Sequence, residues 1–278
     1  MRLYAFADEA SAALDGQISA MLRNHLNGLE IRNVDGVNVS DLPIRRAKEI
    51  HARLADAGLI VWSIGSPIGK IRLSDDFSAH REKFLHTLAV AKALEAQNIR
   101  LFSFYPDENM ELNAFRDGAF ERLNALLDAA KGSDIDLCHE NEKGIYGDTA
   151  ARCAEIHAQF PILKAVFDPA NFIQCRQETL SAWKMLKPHV KYLHIKDARA
   201  DGTVVPAGKG LGHVPEILAD FIHSGGTALT IEPHLKVFDG LNALEREASR
   251  SNVEDYLYET NDAAFDAACA ALRKLLEA

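Results

Sequence analysis

Leu137-Cys138-His139-Glu140-Asn141-Glu142-Lys143-Gly144 is an apolar run that breaks into an imidazole and two carboxylates and then turns on glycine. Ile135, Leu137 and Cys138 read as the end of a buried strand. An ionised carboxylate is costly to bury without a partner, so a strand ending in acid needs something to accept the charge, and a divalent metal does so. Three later stretches repeat the pattern: Val166-Phe167-Asp168-Pro169, Tyr192-Leu193-His194-Ile195-Lys196 and Leu229-Thr230-Ile231-Glu232-Pro233. Each is a short apolar run closed by one metal-competent side chain.

The flanking sequence has the same rhythm. Strands are expected at Leu3 to Ala7, Leu29 to Arg32, Leu59 to Ile64 and Ile99 to Tyr105 before the acidic strand. Leu163 to Asp168, Val190 to Ile195 and Ala228 to Glu232 follow it. Helical periodicity fills the intervals, at about 14–25, 43–58, 78–96, 113–131, 149–159, 178–186 and 214–224, with a closing helix at about 253–276. Strands alternating with helices mean βαβ units and a parallel sheet. Eight such units in 278 residues, near the ~250 typical of a (β/α)8 barrel, point to one α/β barrel domain spanning 1–278. A doubly wound open sheet usually carries a glycine-rich first turn; Ala5 to Glu9 contains no glycine.

The formal charge of −9 argues against nucleic acid as a partner, since nucleic-acid binders show a basic footprint. No apolar stretch reaches the ~20 residues of a membrane span, and Asp8-Glu9 interrupt the opening residues before any apolar run reaches signal-peptide length, so none is expected there. The cysteines, Cys138, Cys153, Cys175 and Cys269, form no C-x-x-C pair and read as reduced thiols of a cytoplasmic protein.

In such a barrel the C-terminal strand ends converge on one mouth, where active sites lie. Glu140, Asp168, His194 and Glu232 end strands five to eight and so become one cluster. Three carboxylates and one imidazole suit a single divalent ion, Zn, Mn, Mg or Co. Singly, each has a plainer reading: Asp168 before Pro169 as a helix cap, His194 as a core histidine. Glu142, two residues beyond Glu140, faces the mouth if the strand continues and is assigned to the substrate or to support of the ligands. His139 and His234 are expected to point away. Lys196, Arg199 and Lys209 offer charge to a phosphate or carboxylate, or are solvated. Trp62, Phe104 and Tyr105 offer a wall for a sugar ring, or are core aromatics.

These residues carry a resemblance. The chain resembles the sugar phosphate isomerase/epimerase superfamily with its xylose isomerase-like TIM barrel, which includes inosose isomerases and dehydratases, ketose 3-epimerases and endonuclease IV. The resemblance rests on Phe6-Ala7-Asp8-Glu9, Ser63-Ile64-Gly65-Ser66-Pro67-Ile68-Gly69-Lys70, His139-Glu140-Asn141, Asp168, Leu193-His194-Ile195-Lys196-Asp197 and Ile231-Glu232-Pro233. It implies one divalent metal on Glu140, Asp168, His194 and Glu232. Ketose 3-epimerases carry a substrate-binding His where this chain has Asn171, and an Arg where it has Ala200, beside Arg199. Those departures leave the particular sugar open.

The expected chemistry is isomerisation or epimerisation of a sugar or sugar phosphate. A proton is removed next to a carbonyl, and a metal stabilises the enediolate. Glu140 and Glu232 are the acid–base pair. Glu142, Asn171, Lys196, Arg199, Trp62 and Tyr105 are the candidate substrate contacts. A lyase or dehydratase of a sugar, inosose or related keto-polyol would use the same residues. A binding barrel without turnover needs no paired bases, and an endonuclease IV-like phosphodiesterase needs more histidine ligands than strands two and three provide. The partner expected is a small carbohydrate, without nucleic acid or membrane, and family habit leaves a homo-oligomer possible.

Overall fold

A computed structural model describes residues 1–238, 253 and 257–277. Its barrel strands are β1 (Arg2–Ala5), β2 (Gly28–Ile31), β3 (Ile60–Gly65), β4 (Asn98–Leu101), β5 (Asp136–Glu140), β6 (Lys164–Phe167), β7 (Val190–Ile195) and β8 (Ala228–Ile231). They close in chain order, each strand parallel to its neighbours and β8 returning to β1. The sequence-expected alternation is therefore a closed barrel. Around it lie α1 (Leu14–Arg23), α2 (Ile44–Asp56), α3 (Phe77–Ala93), α4 (Leu112–Ala130), α5 (Ala150–Gln159), α6 (Pro169–Gln174), α7 (Thr179–Leu186), α8 (Val214–His223) and α9 (Asn261–Leu276).

The helices attach by amphipathic stripes. In α2, Ala47, Ile50 and Leu54 are buried at spacings of three and four on an otherwise charged helix. The main core lies between these stripes and the outward strand faces. Inside the barrel, Tyr4, Trp62, Cys138, Val166, Tyr192 and Ala228 form a separate apolar plug. Strand side chains alternate, so residues two positions onward share a face. The plug residues Tyr192, Cys138 and Val166 thus lead to His194, Glu140 and Asp168 at the mouth.

Three local features depart from expectation. The six-residue α6 directly follows β6, where the periodicity suggested no helix before residue 178. Two short hairpins interrupt the alternation, Asn33–Val34 with Val37–Asn38 and Asp197–Ala198 with Val204–Val205. The closing helix begins at Asn261, capped by the hydroxyl of Thr260, rather than near 253; residues 254–256 of the expected span lie outside the described residues. No helix among the described residues is long and apolar enough to cross a membrane.

Candidate metal centre

Glu140, Asp168, His194 and Glu232 are all buried, and each offers one ligand atom within 4.8 Å of the others. His194 sets the geometry. Its Nδ1 lies 3.0 Å from Glu140 Oε1 and 3.5 Å from Glu232 Oε2, while its Nε2 is 3.0 Å from Glu30 Oε2. Burial opposes charge on this imidazole, but Glu140 and Glu30 outweigh it and hold its pKa well above the usual histidine range. Glu30 is itself fully buried, and its Oε1 accepts from Tyr192 Oη at 2.9 Å. A buried carboxylate behind the imidazole is how metal-binding histidines are commonly oriented.

Asp168 has two roles at once. Its Oδ1 caps α6 by accepting from the Asn171 amide at 3.0 Å, with Pro169 in the first turn. Its Oδ2 is buried and receives no hydrogen bond. Lys196 Nζ stands 2.8 Å from that oxygen in an ion pair off the hydrogen-bonding direction, and donates to Glu232 Oε2 at 2.8 Å. Three buried carboxylates converging on one imidazole nitrogen fit a divalent cation. Lys196 supplies positive charge at the same oxygens. Burial raises the Asp168 pKa to about 7 against the pull of Lys196.

Glu232 is held from its other side by Arg32, a fully buried side chain. Arg32 donates to Glu232 Oε1 at 3.3 Å, to both oxygens of Asp8 at 2.9 and 3.1 Å, and to Glu9 Oε1 at 3.1 Å. Glu9, Glu232 and His234 form a second trio of metal-competent side chains, with this guanidinium paired to both of its carboxylates. Burial raises Glu9 to about 8 despite Arg32.

The remaining sequence candidates divide. Asn171 lies at the centre, its Nδ2 3.2 Å from Glu140 Oε1. Glu142 lines the mouth and pairs with Lys70 at 3.1 Å. Burial favours its neutral form, but Lys70, Lys143 and Lys196 outweigh this and hold its pKa at about 2. Trp62, a candidate sugar contact, is in the barrel plug instead, stacked on Tyr4 with centroids 5.0 Å apart. Its position in β3 is below the strand end, where side chains fill the barrel. Tyr105 packs with Phe102 and Ile145 in a small apolar cluster. Arg199 is exposed, in the turn of the second hairpin.

The glycine-rich stretch with Lys209 is organised by Asp197, whose carboxylate accepts from the amides of Gly208, Gly210 and Gly212 at 3.0, 2.9 and 2.8 Å. Those amides are therefore spent on the protein, and Lys209 is exposed. His139 points away from the mouth as expected, bonding Ser103 Oγ at 3.0 Å. His234 does not: it lines the mouth 3.6 Å from Glu232 Oε1. It lies two residues beyond Glu232, an even spacing that already favoured the same face.

Sequence reasoning missed Glu30, Arg32, Lys70 and Arg100. The first two lie in Leu29-Glu30-Ile31-Arg32, a strand closed by charge like the acidic strands, and the same rule would have found them.

The whole chain can be set beside known proteins. The family described as "Xylose isomerase-like TIM barrel" matches residues 24–256, and no curated protein matches. The structure is similar to the "probable 3-DHS dehydratase AsbF" of Bacillus anthracis, with 15% identity, TM-score 0.74 and coverage of 98% of this chain and 99% of that one. It is similar to D-psicose 3-epimerase of Clostridium cellulolyticum H10, with 15% identity, TM-score 0.74 and coverage of 100% and 99%. The IOLI protein, solved with "a binding zinc atom", has 14% identity, TM-score 0.73 and coverage of 100% and 98%. At these identities the likeness is one of fold.

Proposed function

The chain belongs to the xylose isomerase-like TIM-barrel family, and from that premise we propose that it is a metal-dependent sugar isomerase or epimerase of the cytoplasm. The observation that carries the reading is the buried convergence of Glu140, Asp168, His194 and Glu232 from four consecutive strand ends. In this reading those residues hold one divalent ion, Zn, Mn, Mg or Co. When bound, it supplies Lewis-acid polarisation of a carbonyl and a hydroxyl oxygen.

The rest of the chemistry belongs to the chain. Glu140 closes β5, Glu232 directly follows β8, and both approach the same ring nitrogen, at 3.0 and 3.5 Å from His194 Nδ1. One takes the proton beside the carbonyl and the other returns one, with Arg32 and Lys196 fixing the two oxygens of Glu232. Asn171 steadies Glu140 through its Nδ2. Glu142, Asn171 and Lys196 line the cleft and are the substrate contacts of this reading; Arg199, Trp62 and Tyr105 do not line it.

A second reading, a sugar or keto-polyol dehydratase, is favoured by one observation. Lys196 Nζ lies 2.8 Å from Glu232 Oε2, so an ammonium stands beside one of the two proposed bases, where it would offer a hydrogen bond to a leaving β-hydroxyl. Elemental analysis tests the common premise. About one divalent ion per chain is expected in wild type, with loss in both Asp168→Ala and Glu232→Ala; metal retained by both variants refutes this site. Incubation with ketoses in deuterated water then separates the two readings, through solvent deuterium at carbon or through loss of water.

A further inference from the structure

We propose, resting on the carbohydrate reading above, that the substrate of this site carries a carboxylate and that Arg100 is the residue that selects it. The metal-competent acids occupy the arc of the mouth built by β5 to β8. Cations fill much of the facing arc: Arg32 follows β2, Lys70 follows β3 and Arg100 lies in β4. With Lys196 they line one small cleft together with three carboxylates.

Three of the four cations are committed. Arg32 donates to Asp8, Glu9 and Glu232. Lys70 pairs with Glu142 at 3.1 Å, and Lys196 pairs with Asp168 and Glu232. Arg100 is different. Only 5% of the residue is exposed, and its Nε is buried without a hydrogen bond. The nearest carboxylate oxygens, Glu140 Oε2 at 3.4 Å and Glu30 Oε1 at 3.9 Å, are ion-pair neighbours rather than acceptors. Glu140 Oε1 is meanwhile engaged by His194 and Asn171.

The guanidinium is also held in place. It lies over the Phe102 ring at 4.5 Å from the centroid and over Phe6 at 5.6 Å, and the carbonyl of Arg100 accepts from Ser66 Oγ at 2.6 Å. A buried, always-charged donor with too few acceptors is costly unless a partner arrives. Its planar fork matches a carboxylate. A neutral sugar ring seeks bare aromatic faces, and here they are covered. Lys70 and Arg100 cover Phe102, and Arg32 covers Phe6 and Phe238 at 4.4 and 4.9 Å. A phosphate, with three terminal oxygens, would call on further donors that Glu142 and Glu232 already occupy.

Calorimetric titration of the Mn-loaded protein with 2-keto-D-gluconate, D-fructose and D-fructose 6-phosphate tests this. The keto acid is expected to bind at least about tenfold tighter than D-fructose, the worth of one charge-assisted hydrogen-bonded pair. In Arg100→Gln that ratio should collapse, and Arg100→Lys should restore part of it. Thermal unfolding checks that the variants are folded; if Arg100→Gln is not, the wild-type ratio decides alone. Equal binding of keto acid and D-fructose overturns the proposal and leaves the sugar reading standing. Tightest binding of the 6-phosphate overturns it in favour of a phosphate. Binding of none of the three removes it together with the function on which it rests.

Discussion

At the residue scale the site turns on Glu30. His194 can present Nδ1 to Glu140 and Glu232 only because Nε2 is occupied, and Glu30 Oε2 occupies it at 3.0 Å. Glu30 is fixed in turn by the Tyr192 hydroxyl at 2.9 Å and Ser63 Oγ at 3.4 Å. Ligand-orienting partners of this kind typically contribute ten- to hundredfold to metal affinity. Glu30→Gln is therefore expected to weaken binding of a divalent ion by about ten- to hundredfold, read by competition with a chromogenic chelator. Unchanged affinity would mean that the imidazole is held by its own strand instead.

At the element scale, the segment after β3 is locked onto α3. Gly69 has φ +89°, and a Cβ there would lie 2.0 Å from the Phe102 carbonyl oxygen, so only glycine lets the chain pass this close to β4 and bring Lys70 over Phe102. The Gly69 amide donates to His80 Nε2 at 2.8 Å, which requires an unprotonated nitrogen. Burial, helped by Lys83 and Arg122, lowers the His80 pKa from 6.5 to about 4. The unfolded chain then binds a proton that the folded chain refuses between those values. Stability is fully present above about pH 6.5 and is lost as pH falls toward about 4, a loss on the order of 3 kcal/mol when complete. Urea unfolding at pH 7.5 and 4.5 should show this loss in wild type. His80→Gln keeps an acceptor but cannot titrate, so it should show a correspondingly smaller one; an equal loss would assign the pH dependence elsewhere.

At the scale of the whole molecule, the barrel interior has an apolar floor and a charged mouth. Trp62 stacks on Tyr4 and meets the edge of Tyr192 at 6.0 Å, and Tyr192 reaches up to Glu30. The floor thus supports the ligands without supplying any. Trp62→Ala should cost about 3–5 kcal/mol of stability through the cavity it leaves, seen as a drop in Tm. The number of divalent ions bound per folded chain should stay the same. A variant of unchanged stability but lost metal would move Trp62 from floor to site.

Much of the barrel and its acidic strand ends were legible in the sequence because both are local patterns. Apolar runs of strand length, helical spacing between them, and a single acid or imidazole where each run stops survive without knowledge of the partners. The even spacing from Glu140 to Glu142 likewise anticipated a shared face, and Asp168 before Pro169 already looked like a cap. What lies across the mouth was not legible. Arg32, Lys70 and Arg100 are ordinary surface residue types along the chain. Arg32 and Arg100 are buried, and Lys70 half-buried, only because closure of the barrel brings β2, β3 and β4 opposite β5 to β8, where their charges meet Asp8, Glu142 and Glu140. The depth of Trp62, the inward turn of His234 and the spending of the Gly208–Gly212 amides on Asp197 also depend on strand register and loop closure. Those are set by contacts between residues far apart in the chain, so only the tertiary structure decided them.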